Sequence, residues 1–302
     1  MKILILGGTG MIGSALAREA LVHGHEVNIL TRNPTGRKQT PGITFLAWDG
    51  RSPESWVEAL EQCDALVNLV GENIGASRWT LERKQAIRES RLLTGRTVVS
   101  AFQIASHRPK TVVQASAVGY YGPCGDEIKD ESSPAGGDFL GRLCVDWENS
   151  TRDVESLGVR RVVIRTGLVL DRKGGAMDQL LLQNRLFAGG PLGNGKQWWP
   201  WIHLKDEVKA ILFLLENERT EGAFNLTAPN PVPMKEFGKI LSRVIRRPYW
   251  LPVPAFALQL VLGEMSKIVL EGQRAVPRKL LESGFSFDYP DLEPALRDIL
   301  TS

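Results

Sequence analysis

The sequence predicts an α/β fold in which a doubly wound parallel sheet is followed by a smaller C-terminal lobe. Strand and helix patterns alternate to about residue 170, the strand segments are nearly continuous aliphatic runs, and a glycine-rich turn joins the first strand to the first helix. Parallel neighbours need crossover helices, and strands covered on both faces are apolar throughout. The predicted strands lie near 2–7, 26–31, 43–47, 64–70, 111–116 and 161–166, and the predicted helices near 11–23, 53–61, 79–106 and 138–157.

The chain changes character after residue 170. Glycine and proline crowd the stretch 174–200, which excludes regular structure over most of it. Beyond it we expect a helix near 205–217, a strand near 222–227, a helix near 233–245 and a helical tail from about 254. We therefore divide the chain into a main domain, 1–170, and a lobe that covers a substrate, 171–302. The strand near 222–227 either belongs to this lobe or returns to the main sheet.

Composition and charge exclude several classes of protein. The 302 residues include 37 basic and 34 acidic side chains, so the net charge of +3 is small, and no charge block suited to nucleic acid or an anionic membrane is present. No run reaches the roughly 18 apolar residues of a membrane span, and no signal peptide is expected. Cys63, Cys124 and Cys144 fit neither metal-ligand spacing nor a redox pair, which predicts reduced thiols, no metal site and a cytoplasmic location.

The glycine-rich turn has the layout of a dinucleotide-binding strand, turn and helix. Gly7 permits a tight turn, Gly10 lets the backbone approach a pyrophosphate, and Gly13 allows the helix to pack closely on the strand. Free N–H groups and the positive end of the helix dipole then face phosphate. The alternative is a turn with a purely structural role. The residues predicted to hold the cofactor here are Gly7, Gly8, Thr9, Gly10, Met11, Ile12 and Gly13.

The end of the second strand indicates which dinucleotide binds. A carboxylate there would accept hydrogen bonds from the adenosine ribose and repel a 2′-phosphate, but this chain has Thr31 and Arg32. A guanidinium can pair with the 2′-phosphate and stack on adenine, so NADP(H) is predicted over NAD(H). The alternative to binding the 2′-phosphate is that Arg32 is a loop residue whose charge faces solvent. The main domain is therefore predicted to be an NADP-binding domain of the Rossmann type.

With the spacing Gly-x-x-Gly-x-x-Gly, the chain resembles the extended branch of the short-chain dehydrogenase/reductase superfamily over nearly its whole length. The similarity includes segments at the ends of the fourth, fifth and sixth strands, at 68–71, 116–122 and 165–167. More narrowly, the sequence looks like the atypical epimerase family proteins, often described as nucleoside-diphosphate-sugar epimerases. The segments that carry this narrower resemblance are Gly71-Glu72-Asn73-Ile74, Gly136-Gly137-Asp138-Phe139, Asp146-Trp147-Glu148 and Pro200-Trp201-Ile202-His203.

The resemblance implies cofactor contacts beyond the glycine turn. They are Leu69, Val70 and Gly71 at the end of the fourth strand, Arg91 on the long helix, and Val169 after the sixth strand. For Arg91 the alternative is a solvated charge, as expected of most charges on that helix. Gly174 and Gly175 precede Met177 in a segment that we expect to lie over the nicotinamide, with a simple turn as the alternative.

The Tyr-x-x-x-Lys pair that transfers a proton in this superfamily is missing, because none of the four tyrosines has a lysine four residues on. In the family the pair stands eight and four residues before an acidic residue matching Glu148, and those positions are Leu140 and Cys144. Leucine and cysteine cannot both orient the nicotinamide ribose and donate the proton that accompanies hydride. The catalytic serine falls on either Ser116 or Ala117. We expect Cys144 to be a buried small side chain rather than a nucleophile.

Other groups are candidates to replace the missing pair. Tyr120, Tyr121 and Glu72 follow the fifth and fourth strands, where ligands bind in such folds, and are the candidates for proton transfer. The alternative to proton transfer for the two tyrosines is a role in packing. The alternative for Glu72 is a loop position at which its carboxylate faces solvent. The candidates for substrate contact are Asn73, Trp199, Trp201 and His203. A histidine in such an apolar run usually satisfies a backbone carbonyl, which is the alternative for His203.

Two functions follow from these observations. The first is an NADP-dependent oxidoreductase or sugar-nucleotide epimerase in which another group replaces the lost pair. The second is a protein that binds NADP(H) without turnover, as a sensor or an interaction module. We expect a small molecule as the binding partner, and neither nucleic acid nor a membrane. A homodimer is the candidate for the oligomeric state.

Overall fold

The computed structural model describes residues 1–37, 40–172, 176–185, 187 and 189–301. Gly174 and Gly175, which were expected over the nicotinamide, lie outside the described residues. The central strands are β1 Lys2–Leu6, β2 Glu26–Thr31, β3 Ile43–Ala47, β4 Ala65–Asn68, β5 Thr111–Ala117, β6 Arg160–Thr166 and β7 Gly222–Leu226.

These seven strands form one parallel sheet in the order β7-β6-β5-β4-β1-β2-β3. The chain changes direction across the sheet between β1 and β4, and ligands bind beside such a switch point in open α/β sheets. The predicted doubly wound sheet of the Rossmann type is confirmed. β7 lies beside β6, with Gly222 opposite Val162, so the strand expected near 222–227 belongs to the main sheet.

Helices cover both faces of the sheet. They are α1 Met11–Val22, α2 Val57–Glu61, α3 Leu81–Ile104, α4 Phe139–Asn149, α5 Ala176–Arg185, α6 Leu204–Glu216, α7 Met234–Val244, α8 Ala255–Leu262, α9 Lys267–Leu270, α10 Arg278–Glu282 and α11 Leu292–Thr301. Ile3 and Ile5 of β1 pack in the core formed with α1 and α6, whereas Leu4 and Leu6 pack in the core formed with α3. Successive side chains of a strand point to opposite faces, so an apolar strand supplies two cores. Within the described ranges, no helix is both long and apolar enough to cross a membrane.

Three predictions differ from the structure. The stretch 174–200 was expected to lack regular structure over most of its length, but it contains α5 Ala176–Arg185 and the short strand Trp198–Trp199. The helix expected near 138–157 ends at Asn149, and a separate 3-10 turn, Arg152–Leu157, follows it. The helical tail expected from residue 254 is divided into α8 to α11. Gly263 and Gly284 have φ of +60° and +90°, a left-handed conformation that ends a helix and that glycine adopts without strain.

The C-terminal lobe has a core of its own. Phe237 and Leu241 of α7 and Leu296 of α11 pack with Trp201 and Leu170. Short strands join its parts: Leu168–Leu170 pairs with Trp201–His203, Trp198–Trp199 with Val232–Pro233, and Ile128–Lys129 with Arg274–Ala275. α6 and β7 belong instead to the main sheet and its cores. The domain boundary at residue 170 therefore stays a prediction.

One carboxyl group is buried between α6 and β6. Glu207 has no solvent exposure, and its Oε1 accepts a hydrogen bond from Thr166 Oγ1 at 2.8 Å. Among the described residues, its Oε2 has no hydrogen-bond partner. Burial disfavours the charged form and raises the pKa of Glu207 to about 8. The group therefore carries its proton at neutral pH.

We expect Phe224→Ala to lower the free energy of unfolding by about 3–5 kcal/mol, because it opens a cavity in the core. Phe224 lies in β7 with no solvent exposure. Phe256→Ala is the matched control, since Phe256 is 71% exposed on α8 and its truncation opens no cavity. Urea unfolding of both variants measures the difference. Equal effects would contradict the placement of β7 in the main sheet.

Glu207→Gln should gain stability relative to the unmutated protein as the pH rises from about 5 to about 8.5. The folded chain keeps the Glu207 proton up to a pKa of about 8, whereas the unfolded chain loses it near the ordinary glutamate pKa of about 4.3. The folded state therefore binds more protons between these values, so the stability of the unmutated protein falls with rising pH.

The glutamine of the Glu207→Gln variant does not titrate. The difference in unfolding free energy between the variant and the unmutated protein therefore reports the titration of Glu207 alone. Urea unfolding at several pH values should show a difference in unfolding free energy that grows by at least about 1 kcal/mol over this range. A difference independent of pH would mean that Glu207 is not a buried, protonated acid.

Candidate functional site

The glycine turn lies at the carboxyl end of β1, beside the end of β4. Gly7 has φ of +79°, and a Cβ on it would lie 3.0 Å from the Leu69 carbonyl and 3.2 Å from the Val70 nitrogen. A Cβ on Gly13 would lie 2.5 Å from the Gly7 carbonyl oxygen. Gly10 is exposed, and a Cβ there would meet only that same oxygen, at 3.4 Å. The turn is thus closed toward the protein and open toward solvent.

The first turn of α1 presents free backbone N–H groups at this opening. Gly10 is the N-cap, and no described side chain caps the helix. Thr9 and Gly10 are exposed, Met11 and Ile12 are half-buried, and Gly8 is buried behind them. Unpaired N–H groups and the positive end of the helix dipole together favour an anion. The predicted turn residues therefore lie together at a helix terminus whose free N–H groups favour an anion.

Two guanidinium groups border the end of β2. Thr31 is buried, and its Oγ1 accepts a hydrogen bond from the Asn33 N–H at 3.3 Å. Arg32 follows it and is exposed. Arg37 is also exposed, and its Nε donates to the Asn33 carbonyl at 3.1 Å. The predicted position of Arg32 beyond the second strand is therefore positively charged and accessible.

Arg91 connects the end of β4 with α4. Its Nη1 and Nη2 donate to the carbonyls of Ile87 and Glu72 at 2.9 and 3.0 Å, and its Cζ lies 4.6 Å from the centre of the Trp147 ring. A Cβ on Gly71 would lie 3.1 Å from this guanidinium, so the glycine permits its close approach. Burial lowers the pKa of Arg91 to about 10, and the side chain stays charged at neutral pH. Arg91 is thus a buried cation rather than a solvated one.

A cavity of about 400 Å³ opens beyond the carboxyl ends of β5 and β6. Ala117, Gly119 and Gly167 form its inner end, and Arg91 borders it. Its walls are mostly apolar and include Ile74, Leu143, Trp147, Leu168, Leu192 and Trp199. Val169, which the resemblance placed at the cofactor, is buried and does not border this cavity.

Leu140 and Cys144, where the resemblance implies the tyrosine and lysine, both border the cavity, and so does Ala117, one of the two positions implied for the serine. The structure decides between the two candidate positions for the serine. Ser116 Oγ donates to Glu148 Oε1 at 2.7 Å and does not border the cavity, whereas Ala117 does. Burial raises the pKa of the Cys144 thiol to about 12, so it is not a thiolate nucleophile. The methyl of Ala117 and the isobutyl group of Leu140 carry no transferable proton, and the raised pKa makes the Cys144 thiol a weak acid at neutral pH.

Tyr120 and Tyr121 lie in a buried network outside the cavity. The Tyr121 hydroxyl donates to Asn225 Oδ1 at 2.7 Å and accepts from Arg165 Nη1 at 3.1 Å. Arg165 also donates to both carboxylate oxygens of Glu148, at 2.9 and 3.0 Å, and its Cζ lies 3.4 Å from the centre of the Tyr120 ring. Burial raises the pKa of Tyr121 to about 12. These contacts favour a packing role for both tyrosines over the predicted proton transfer.

Glu72 and Asn73 follow β4 but do not border the cavity. Glu72 forms an ion pair with Arg83, and the Glu72 side chain is 44% exposed. Asn73 Oδ1 accepts a hydrogen bond from the Gly75 N–H at 2.9 Å. Ile74 is the residue of this loop that borders the cavity. The structure thus places Glu72 as a solvated loop acid and uses Asn73 to shape the loop.

Of the three residues predicted near α6, only Trp199 borders the cavity. Trp201 has no solvent exposure and packs in the core of the lobe. His203 caps α6, because its Nδ1 accepts a hydrogen bond from the Lys205 N–H at 3.0 Å. Its Nε2 lies 3.3 Å from Asp298 Oδ2, and burial lowers the pKa of His203. His203 is therefore a capping residue, in place of the predicted substrate contact.

Helices α8 and α9 are the part of the cavity wall that sequence reasoning missed. Leu258 and Leu262 of α8 and Ile268 of α9 all border the cavity. The stretch 255–262 contains a single polar side chain, Gln259. A surface helix normally has a polar face, so this composition was the available indication that α8 covers something apolar.

Comparison with known proteins assigns the chain to a family. Residues 3–139 match the model of the NAD dependent epimerase/dehydratase family, and residues 253–299 match a domain of unknown function. The epimerase family protein YfhF of Bacillus subtilis is 41% identical over 303 residues, which cover 99% of this chain and 98% of that protein. The chloroplastic homologue of epimerase family protein SDR39U1 from Arabidopsis thaliana is 39% identical over 308 residues, covering 99% of this chain and 87% of that protein.

A solved structure is similar along the whole chain. The human epimerase family protein SDR39U1 (isoform 2), solved with NADPH, is 36% identical and superposes with a TM-score of 0.88, covering 100% of this chain and 99% of that chain. The resemblance stated from the motifs is therefore confirmed by relatives that match from end to end. The chain belongs to the epimerase family proteins.

Proposed function

We propose that this chain binds NADP(H) across the ends of β1, β2 and β4 and transfers hydride between it and a small molecule in the cavity. The glycine turn supports the cofactor half of the proposal. Gly7 and Gly13 leave no room for a Cβ, while the exposed side of Gly10 admits a pyrophosphate. The human relative was solved with NADPH. The residues present therefore fit the cofactor.

The remaining cofactor contacts follow from the same edge of the sheet. Arg32, exposed beyond β2, would pair with the 2′-phosphate as a charge-assisted contact. Leu69 and Gly71 at the end of β4 would line the adenosine and its ribose. Arg91 would reach the cofactor from beneath Gly71, where its guanidinium already lies.

The cavity supports the oxidoreductase half of the proposal, because it opens at the ends of β5 and β6, on the same edge of the sheet as the glycine turn. NADPH, when bound, supplies a hydride from C4 of its nicotinamide. The apolar walls hold the acceptor by packing and exclude most water. Since Ala117 and Leu140 offer no acid and Cys144 only a weak one, water at the cavity mouth supplies the accompanying proton. Epimerisation of a sugar nucleotide would need a base for a sugar hydroxyl at those positions, so we favour an oxidoreductase.

A binding protein without turnover is the second candidate, and the loss of all three proton-transfer residues favours it. The two candidates separate when the molecule that copurifies with the chain is identified by mass spectrometry and added back. Oxidation of NADPH, followed by its absorbance, supports the oxidoreductase. Tight binding of that molecule without oxidation would leave the sensor or interaction module as the function.

We further propose a small-molecule partner and a location in the cytoplasm. Cys63, Cys124 and Cys144 are free, as expected of thiols in a reducing compartment. The Arabidopsis relative is named as a chloroplastic protein, so the location is a property to be measured for each member.

NADPH should bind at least about tenfold more tightly than NADH, because a paired 2′-phosphate contributes about 1–3 kcal/mol. Arg32→Ala should remove most of this preference without affecting NADH. Arg96→Ala is the control, since Arg96 is an exposed arginine on α3. Titration calorimetry measures the affinities of all three proteins for both cofactors. Equal dissociation constants for NADPH and NADH in the unmutated protein would contradict the assignment of Arg32.

Gly10→Val should abolish binding of both dinucleotides, because the branched side chain would occupy the approach of the pyrophosphate to the backbone. The fold should tolerate the change, since Gly10 has an extended backbone with φ of −77° and is exposed. Gly137→Val is the control, because Gly137 is exposed and a Cβ on it would meet nothing within 4 Å. Unimpaired NADPH binding by a folded Gly10→Val variant would remove the turn from the site.

A further inference from the structure

The cavity beyond the ends of β5 and β6 is apolar on most sides, and this property indicates which class of ligand it holds. We propose that it binds an apolar carbonyl compound of small-molecule size, not a sugar nucleotide. The carbonyl group, as hydride acceptor, rests on the proposed function, whereas the apolar character rests on the lining alone. A volume of about 400 Å³ lies within the range of cavities that hold small organic ligands.

The apolar lining comes from separate parts of the chain. α4 contributes Leu140 and Leu143, the short strand Trp198–Trp199 contributes Trp199, and α8 and α9 contribute Leu258 and Ile268. These elements meet only in the folded protein, so the lining is not the by-product of one amphipathic helix. A ligand that fills the cavity removes apolar surface of all of them from water, which favours an apolar ligand.

A sugar nucleotide would find too few cationic partners here. Two cationic side chains are among the described residues that line the cavity, Arg91 and Lys267. Arg91 already donates to two backbone carbonyls and lies against Trp147. Lys267 and Glu271 both line the cavity, and the charge of Lys267 favours the ionised form of Glu271, so the two opposite charges partly offset each other. A diphosphate would lose its hydration without gaining matching charge, which is unfavourable.

The sugar hydroxyls would also lack partners at the α4 end of the cavity. Asp138 lines the cavity, but its Oδ1 accepts from the Gly141 N–H at 3.0 Å and its Oδ2 from the Leu140 N–H at 3.4 Å. The carboxylate is thus used to cap α4, and its negative charge repels phosphate. Ala117 and Leu140, where the superfamily has serine and tyrosine, offer no hydrogen bond to a hydroxyl.

The outer wall of the cavity is apolar on its solvent side as well. Leu258 and Leu262 of α8 border the cavity. Phe256, Leu260 and Val261 of the same helix are 71%, 77% and 67% exposed. α8 carries no charged side chain. A ligand entering past α8 therefore meets apolar surface outside and inside, which suits an apolar molecule and would not guide a dianion.

Calorimetry with three probes on the untagged protein tests the inference. The probes are 2-decanone, 2-acetylnaphthalene and uridine diphosphate glucose, each titrated with and without saturating NADPH. We expect at least one ketone to bind with a dissociation constant of about 100 µM or lower. The sugar nucleotide should bind at least about tenfold more weakly than that ketone.

Two variants of α8 provide a matched pair. Leu258→Gln places an amide in the lining and should weaken ketone binding at least about tenfold, whereas Leu260→Gln, on the exposed side of α8, should change it less than about twofold. Ile268→Gln is the second lining variant if Leu258→Gln does not fold. Thermal unfolding and NADPH affinity, measured for each variant, show that the fold and the cofactor site are intact.

The outcomes separate this inference from the proposed function. Tighter binding of the sugar nucleotide than of either ketone overturns it, and so does the absence of binding by both ketones. Equal effects of Leu258→Gln and Leu260→Gln would move the ketone to another surface and also overturn it. Failure of NADPH to bind the unmutated protein would instead refute the proposed cofactor, whatever the ketones do.

Discussion

A buried ion pair between Arg165, at the end of β6, and Glu148, on α4, holds the functional end of the molecule together. Both carboxylate oxygens accept hydrogen bonds from the guanidinium, whose Nη1 donates to the Tyr121 hydroxyl. Ser116 at the end of β5 donates to the same carboxylate. Removing one partner of such a pair leaves a buried charge uncompensated, which costs about 3–5 kcal/mol. β5, β6 and α4 therefore keep one relative position, and the cavity depends on it.

The anchorage of Glu148 also decides which side chains of α4 face the cavity. Cys144 and Leu140 stand four and eight residues before Glu148, and residues at this spacing share one face of a helix. Because Glu148 is fixed against β6, its two companions lie at the ends of the strands, where they border the cavity. At these two positions α4 presents a leucine and a thiol whose pKa burial raises to about 12. The anchored helix α4 thus contributes an apolar part of the cavity wall.

The glycine turn and the cavity differ in character: the turn presents free N–H groups, whereas most of the cavity wall is apolar. Free N–H groups of α1 and the exposed Arg32 give the turn a positive character. Beside the cavity, Arg91 is directed at backbone carbonyls and Asp138 at the N-terminus of α4. Glu207, behind Thr166, holds its proton because burial raises its pKa to about 8. One end of the site therefore suits a charged dinucleotide, and the other end suits an uncharged molecule.

The sequence by itself determined the parallel sheet, the glycine turn and the absence of a Tyr-x-x-x-Lys motif, because each depends on a local pattern. Buried parallel strands are apolar runs, a tight turn requires glycine, and the motif is read directly from residues four positions apart. Only the tertiary structure decided that Ser116 turns away from the cavity, that the Tyr121 hydroxyl is buried against Asn225, and that α8 closes the outer wall. These features depend on the direction of side chains and on contacts between residues far apart in the chain. The Tyr121 hydroxyl, for example, binds a partner 104 residues away, which no local pattern contains.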